Sequence, residues 1–202
     1  MTYEAAKRVV DLFLALSLLV ACLPLWLLIA GLIKLDSPGP ALYSAMVHGR
    51  GGRPFRYYKF RTMRASAPND MHQAFVAAYI QLGCPQGKLL DDPRLTRVGR
   101  LLRVWSLDET PQFLNVLRGD MSLVGPRPPL TYEFQHYDAR AKRRLAVRPG
   151  ITGLQQVTSR GCASFRRLVA TDLLYIRRQS LALDLVILAR TIPAVLSRRG
   201  AA

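Results

Sequence analysis

From Leu12 to Ile33 the chain runs 22 residues without a formal charge, enough helix to cross a hydrocarbon core of about 30 Å. Lys7 and Arg8 precede the run and Lys34 follows it. Positive flanks favour the cytoplasmic side of a bilayer, and here both flanks are positive. Pro24 stands mid-run, where it removes a helical hydrogen bond and bends the axis. A helix that enters the bilayer, turns at Pro24 and leaves on the same face satisfies both facts. A kinked spanning helix is the simpler alternative. Asp11, near the entrance, is expected at headgroup depth, because charge deeper in the bilayer is costly.

Beyond the apolar run the pattern changes. Ser37-Pro38-Gly39-Pro40 and Gly49-Arg50-Gly51-Gly52-Arg53-Pro54 are turn chemistry, and Ala41–Val47 with Phe55–Met63 between and after them read as a hairpin. Period-two alternation puts Phe55, Tyr57, Lys59 and Arg61 on one face, where Lys59 and Arg61 form either a phosphate clamp or a solvated basic edge. Residues 65–92 read as a polar connection with one helix near Met71–Leu82. Thr96–Trp105 reads as a short helix carrying Arg97, Arg100 and Arg103. Phe113–Leu117 is a further helix. Pro126-Arg127-Pro128-Pro129 holds an arginine on a stiff loop, and Val147–Gly153 is a second rigid turn, with Arg148 in it. Leu181, Leu185, Leu188, Ile192 and Val195 keep helical spacing, for a helix packed on a core or lying at a membrane interface.

Composition narrows this. A length of 202 residues supports one domain, or one domain with an anchor. Lys and Arg number 29 against 13 Asp and Glu, a net charge of +16, which implies an anionic partner. Mean hydropathy is +0.11, high for a chain with 21% charged residues. Cys22, Cys84 and Cys162 are odd in number and far apart, so they suggest no disulfide framework and a reducing compartment. His48, His72 and His136 show no metal-ligand spacing.

Against the basic background, Asp108 and Glu109 stand side by side. Ser106-Leu107-Asp108-Glu109 fits a capping box, with Ser106 as N-cap and Glu109 at N3, and that is the commoner use of the pattern. A functional use coexists with it. Adjacent carboxylates in a field of arginines suit a nucleophile or metal ligand acting on a phosphate-bearing substrate.

Tyr58-Lys59-Phe60-Arg61-Thr62-Met63, the segment Ser106–Ser122, Leu123-Val124-Gly125-Pro126-Arg127-Pro128 and Val147–Gly153 resemble, in this order, signatures of the bacterial sugar transferases. The resemblance extends from the hydrophobic N-terminus to Asp184-Leu185. It implies a predominantly helical α+β fold: a monotopic membrane protein with a re-entrant helix broken at Pro24, a small β-hairpin and interfacial amphipathic helices. Residues 1–35 would be the anchor and 36–202 the catalytic domain, on the cytosolic face of the bacterial inner membrane. The length is similar to that of the small members, which consist of the catalytic domain alone. The implied reaction moves a sugar-1-phosphate from a UDP-sugar to polyprenyl phosphate and releases UMP. Asp108 would be the nucleophile, and Glu109, with Asp108, would hold Mg²⁺. Lys59, Arg103 and Arg127 match basic positions around the phosphates, and Arg148, Arg160 and Asp172 match further motif positions.

The chain departs from the family pattern at Ala45 and Val47, where relatives often carry Gln-x-Arg. Leu23 stands before Pro24 in place of a serine, and Thr158–Gly161 replaces a common Asn-Gly-Arg-Asn. The competing reading is a membrane-tethered basic module for nucleic acid or anionic lipid, with Tyr57-Tyr58-Lys59-Phe60-Arg61 suited to stacking. That reading gives adjacent carboxylates no purpose, so no nucleic acid partner is expected. A homo-oligomer is compatible with the sequence.

Overall fold

The computed structural model describes residues 2–64, 70–82, 92–158 and 164–197. The described residues are predominantly helical, with two two-stranded sheets. Cys84, Arg160 and Cys162 lie outside them.

Helix α1, Tyr3–Asp36, is assigned as one α-helix with Pro24 inside it. It is long and apolar enough to cross a membrane. One stripe of it, at spacings of three and four, packs on the protein. Asp11, Ala15, Ile29 and Ile33 are buried, and Leu19, Cys22 and Trp26 are half-buried against the two adjoining cores. Leu12, Phe13, Leu16, Val20, Leu23, Leu27 and Leu28 face outward. Removing such side chains from water is worth roughly 1.5–3 kcal/mol each, so this surface is suited to lipid.

Both ends of α1 hold to the same body. At the start, the Lys7 ammonium donates to Asp184 at 2.7 Å, Arg8 donates to the carbonyls of Val116 and Leu117 at 2.6 and 3.1 Å, and the Leu123 amide donates to Asp11 at 3.0 Å. Asp11 therefore faces the protein. It is 4% exposed and receives a main-chain donor, which offsets the cost of burying its charge. At the other end Arg61 donates to the carbonyls of Pro38 (2.8 Å) and Ser37 (2.7 Å). A cation there satisfies the last carbonyls and complements the helix dipole. Asp36 accepts from the Val98 amide at 2.9 Å, tying α1 to the helix Arg97–Val104.

Strands β1 (Leu42–His48) and β2 (Pro54–Phe60) pair antiparallel as the sequence predicts. Tyr43 faces Lys59, Ala45 faces Tyr57 and Val47 faces Phe55, so these six share one side of the hairpin. Helix α2 spans Asp70–Leu82, and α3 spans Arg97–Val104 behind a Thr96 cap that accepts from the Gly99 amide at 2.9 Å. A Cβ on Gly99 would stand 2.1 Å from the Thr62 carbonyl oxygen. Only glycine lets α3 come this close to the end of the hairpin.

A 3₁₀ turn, Leu107–Gln112, leads into α4, Phe113–Arg118. The expected capping box does not form. Ser106 takes φ 54°, in the left-handed region, and makes no side-chain cap bond; its carbonyl accepts from the Glu109 amide at 3.4 Å. A helical N-cap has an extended backbone, and the left-handed conformation of Ser106 is incompatible with it.

Strand β3 (Ser122–Val124) pairs in parallel with β4 (Gly150–Thr152). Helices α5 (Thr131–Gln135) and α6 (Ala139–Lys142) and a 3₁₀ turn, Arg143–Ala146, lie between them, and α7 (Leu154–Thr158), α8 (Phe165–Arg178) and α9 (Leu181–Leu196) follow. Phe113, Val116, Met121, Leu123, Val124, Tyr175 and Ile187 form the core on which Ala15 of α1 sits. On α9, Asp184 and Ile187 turn inward while Leu185, Val186, Ile192 and Leu196 are exposed. Of the apolar stripe read from the sequence, Leu185 and Ile192 thus do not pack on a core.

Candidate active site

The 3₁₀ turn after Ser106 packs against β2 and presents Asp108, 7% exposed, and the half-buried Glu109. Burial first, and then the adjacent Glu109, push the Asp108 carboxyl up to about 6, against the pull of Lys59 and Arg103. Burial lowers the Lys59 ammonium, Asp108 opposes that, and Arg103 and Arg127 add to it. Arg103 extends from α3, its Nε donating to Thr62 Oγ1 at 3.1 Å. Arg127 comes from the Pro126-Arg127-Pro128 loop, where the charges of Glu109 and Glu133 act on it. Asp108, Glu109, Lys59, Arg103 and Arg127 therefore converge from four segments of the chain.

The other expected residues take different partners. Arg148 donates to the Gly119 carbonyl at 3.1 Å and lines a cleft with Lys7, Arg8 and Arg50. Asp172 is 2% exposed and binds Arg144 Nε at 2.6 Å. Pro24 lies on α1, and Arg160 is outside the described residues. A Lys59–Arg61 clamp is not formed, because Arg61 is committed to the end of α1. Lys59 instead lies 5.3 Å from the centre of the Tyr43 ring, a cation–π distance.

Two residues were given no role in the sequence reading. Tyr57, 7% exposed, sits among these charges. Its hydroxyl is pushed up to about 12, chiefly by burial, with Arg127 opposing and Glu109 and Asp108 adding. Its alternation with Lys59 was the available signal. Asn115 is fully buried on α4. Its Oδ1 accepts from the Tyr58 amide at 3.2 Å and its Nδ2 donates to the Arg56 carbonyl at 2.8 Å. It fastens the strand bearing Lys59 to the helix that follows Asp108.

Chemically, this is a buried carboxylate in the field of three cations, an arrangement complementary to a diphosphate. The described residues contain no group of three or more His, Cys, Asp or Glu that could form an all-protein metal cage. Two adjacent carboxylates are nonetheless the donor set that Mg²⁺ uses when water and substrate phosphate complete its shell. The mutual repulsion that raises Asp108 is what a bound cation would offset.

The family model of the bacterial sugar transferases matches residues 2–198. The chain belongs to that family and is an enzyme of the phosphoglycosyl transferase class. Over 198 residues it is 43% identical to the exopolysaccharide production protein ExoY of Sinorhizobium fredii, covering 96% of this chain and 87% of that protein. It is 46% identical over 208 residues to the UDP-glucose:undecaprenyl-phosphate glucose-1-phosphate transferase of Caulobacter vibrioides, covering 98% and 72%. It is also 38% identical over 197 residues to the undecaprenyl-phosphate galactose phosphotransferase of Salmonella typhimurium, covering 96% of this chain and 41% of that one.

Proposed function

We propose that the chain transfers a sugar-1-phosphate from a UDP-sugar to polyprenyl phosphate through a covalent intermediate on Asp108. In the first step an Asp108 oxygen attacks the β-phosphorus, the bond to the bridging oxygen breaks, and UMP leaves with that oxygen. In the second, an oxygen of polyprenyl phosphate attacks the same phosphorus and Asp108 departs as carboxylate. Covalent catalysis by a carboxylate divides one difficult displacement into two. Lys59, Arg103 and Arg127 bind and orient the diphosphate. Glu109, with Asp108, holds Mg²⁺, which when bound neutralises phosphate charge as a Lewis acid. The observation that carries this reading is the buried Asp108 carboxylate beside Glu109, with Lys59 and Arg103 acting on it.

The test is direct. Purified protein incubated with UDP-sugar labelled at the β-phosphorus, Mg²⁺ and no lipid acceptor is expected to retain label. Asp108→Asn is expected to retain none, and full activity in that variant would refute the assignment.

The same reading makes residues 1–35 a re-entrant anchor turning at Pro24, with residues 36–202 on the cytosolic face of the inner membrane. Its support is that Lys7, Arg8 and Asp11 at one end of α1, and Asp36 at the other, bind the same folded body. A spanning helix would hold those ends on opposite sides of about 30 Å of hydrocarbon. A cysteine placed beside Pro24 should resist periplasmic thiol reagents; efficient labelling from that side would establish a spanning helix.

A further inference from the structure

Arg127 brings its charge to the acidic pair from a loop whose backbone is held on both sides of it. Three carbonyls of that loop are held in place. The Pro126 carbonyl accepts from the Gly150 amide at 2.9 Å and the Pro129 carbonyl from the His48 amide at 3.0 Å. The Arg127 carbonyl accepts instead from a side chain, Arg144 Nη2, at 3.2 Å. The remaining arms of Arg144 are engaged as well: Nε donates to Asp172 Oδ2 at 2.6 Å and Nη1 to the Tyr137 hydroxyl. Arg144, Asp172 and Tyr137 are 3%, 2% and 7% exposed. A guanidinium is a rigid planar fork, so fixing two of its arms fixes the direction of the third.

We infer that Arg144, oriented by Asp172 and Tyr137, is a positioning residue that sets Arg127 against the substrate diphosphate, and that Asp172 contributes to the reaction only through it. This rests on the proposed function in one respect, that Arg127 binds the diphosphate. The fully buried Asp172 is, on the inner face of α8, the counter-charge of Arg144 and has no open side to offer a substrate. Several lines of the molecule meet in the pair: Asp172 belongs to α8, Arg144 to the 3₁₀ turn before β4, and Tyr137 to the connection between α5 and α6. A shift in how α8 packs is therefore passed to Arg127 through one side chain.

The experiment is a double-mutant cycle on UMP release from a UDP-sugar, using the full chain in detergent or vesicles. Arg144→Lys keeps the buried charge beside Asp172 but loses the fork that reaches the Arg127 carbonyl. In the wild-type background it should lower kcat/KM on the order of tenfold to a hundredfold, the scale of a misplaced binding group. In an Arg127→Ala background the same change should cost less than about twofold, because the residue it positions is gone. Asp172→Asn should follow the same pattern. Equal losses in both backgrounds would overturn the inference and make these residues independent contributors. A structural role alone lowers the thermal midpoint without producing this coupling, so the midpoint is recorded for every variant. If Arg144→Lys fails to fold, Tyr137→Phe, which removes one orienting partner, carries the same cycle to the same decision. Absence of UMP release from the wild-type chain with any UDP-sugar would strike the proposed function; additive losses in an active chain would strike only this inference.

Discussion

The Lys7 ammonium lies 2.7 Å from the Asp184 carboxylate, joining residues 177 positions apart. The same carboxylate accepts from the hydroxyls of Tyr3 at 2.9 Å and Tyr175 at 2.8 Å. Asp184→Ala leaves a largely buried cation without its acceptor and the Tyr175 hydroxyl with only the Val124 carbonyl, at a cost of about 3 kcal/mol. Thermal or denaturant unfolding in detergent should show a clear fall in the midpoint. Lys7→Met should cost less, since Asp184 keeps two hydroxyl donors. An unchanged midpoint in Asp184→Ala would mean that the hub does not hold α1.

Asp108 sets a pH dependence whose sign follows from its raised value. The folded carboxyl titrates at about 6, above the ordinary value of 3.8, so between those limits the folded chain holds more protons than the unfolded one. Its contribution to stability is therefore fullest below about pH 4 and is lost as pH rises through about 6. Asp108→Asn should stabilise the protein at pH 7 by up to about 3 kcal/mol and by almost nothing at pH 4. In single-turnover labelling, the rate should climb through the same window as the carboxylate form accumulates.

Lys59 and Arg61 differ by two positions and by everything in their surroundings. Lys59→Met should abolish most UMP release and leave the unfolding midpoint unchanged or raised, because burial already disfavours its charge. Arg61→Met should do the opposite. It strips the carbonyls of Ser37 and Pro38 of their donors and should cost about 2 kcal/mol of stability, with KM for the UDP-sugar unchanged in the folded fraction. Parallel activity and melting curves for the two variants would separate the roles; a raised KM in Arg61→Met would return it to the substrate site.

Gly99→Ala places a methyl 2.1 Å from the Thr62 carbonyl oxygen. Helix α3 must move away, and the bond from Arg103 to Thr62 goes with it. Overpacking of this kind costs about 1–3 kcal/mol. Activity should fall further than stability accounts for, with Arg103 displaced, as comparison with Arg103→Ala would reveal.

Periodicity was a good guide wherever local sequence decides the structure. The hairpin, α3, α4 and the C-terminal helix lie where alternation, turn residues and helical spacing put them. It failed where the surrounding fold decides. Ser106 carries a cap pattern, but its backbone is left-handed and makes no cap. Val147–Gly153 reads as a turn because proline and glycine dominate it, yet Gly150–Thr152 finds Ser122–Val124 and becomes a parallel strand. Arg61 reads as half of a phosphate clamp from its alternation with Lys59, but the end of α1 claims it; Asp172, a position the family resemblance names, pairs with Arg144, 28 residues away in the chain. Asp108, Glu109, Lys59, Arg103 and Arg127, the positions the family resemblance names, lie close enough in the fold for their charges to act on one another. Tyr57 and Asn115 carry no such signal, since what they do depends on burial, which composition does not report.

The first turns of α1 are completed by residues made much later. Arg8 waits for Val116 and Leu117, Asp11 for Leu123, and Lys7 for Asp184. At bacterial synthesis rates, the interval from Lys7 to Asp184 is on the order of ten seconds or more. Throughout it, the apolar length of α1 is available to the bilayer while the groove that receives its buried stripe does not yet exist. Under the proposed anchor, α1 would therefore meet the bilayer before its tertiary contacts form, and α9, through Asp184, would lock it in place.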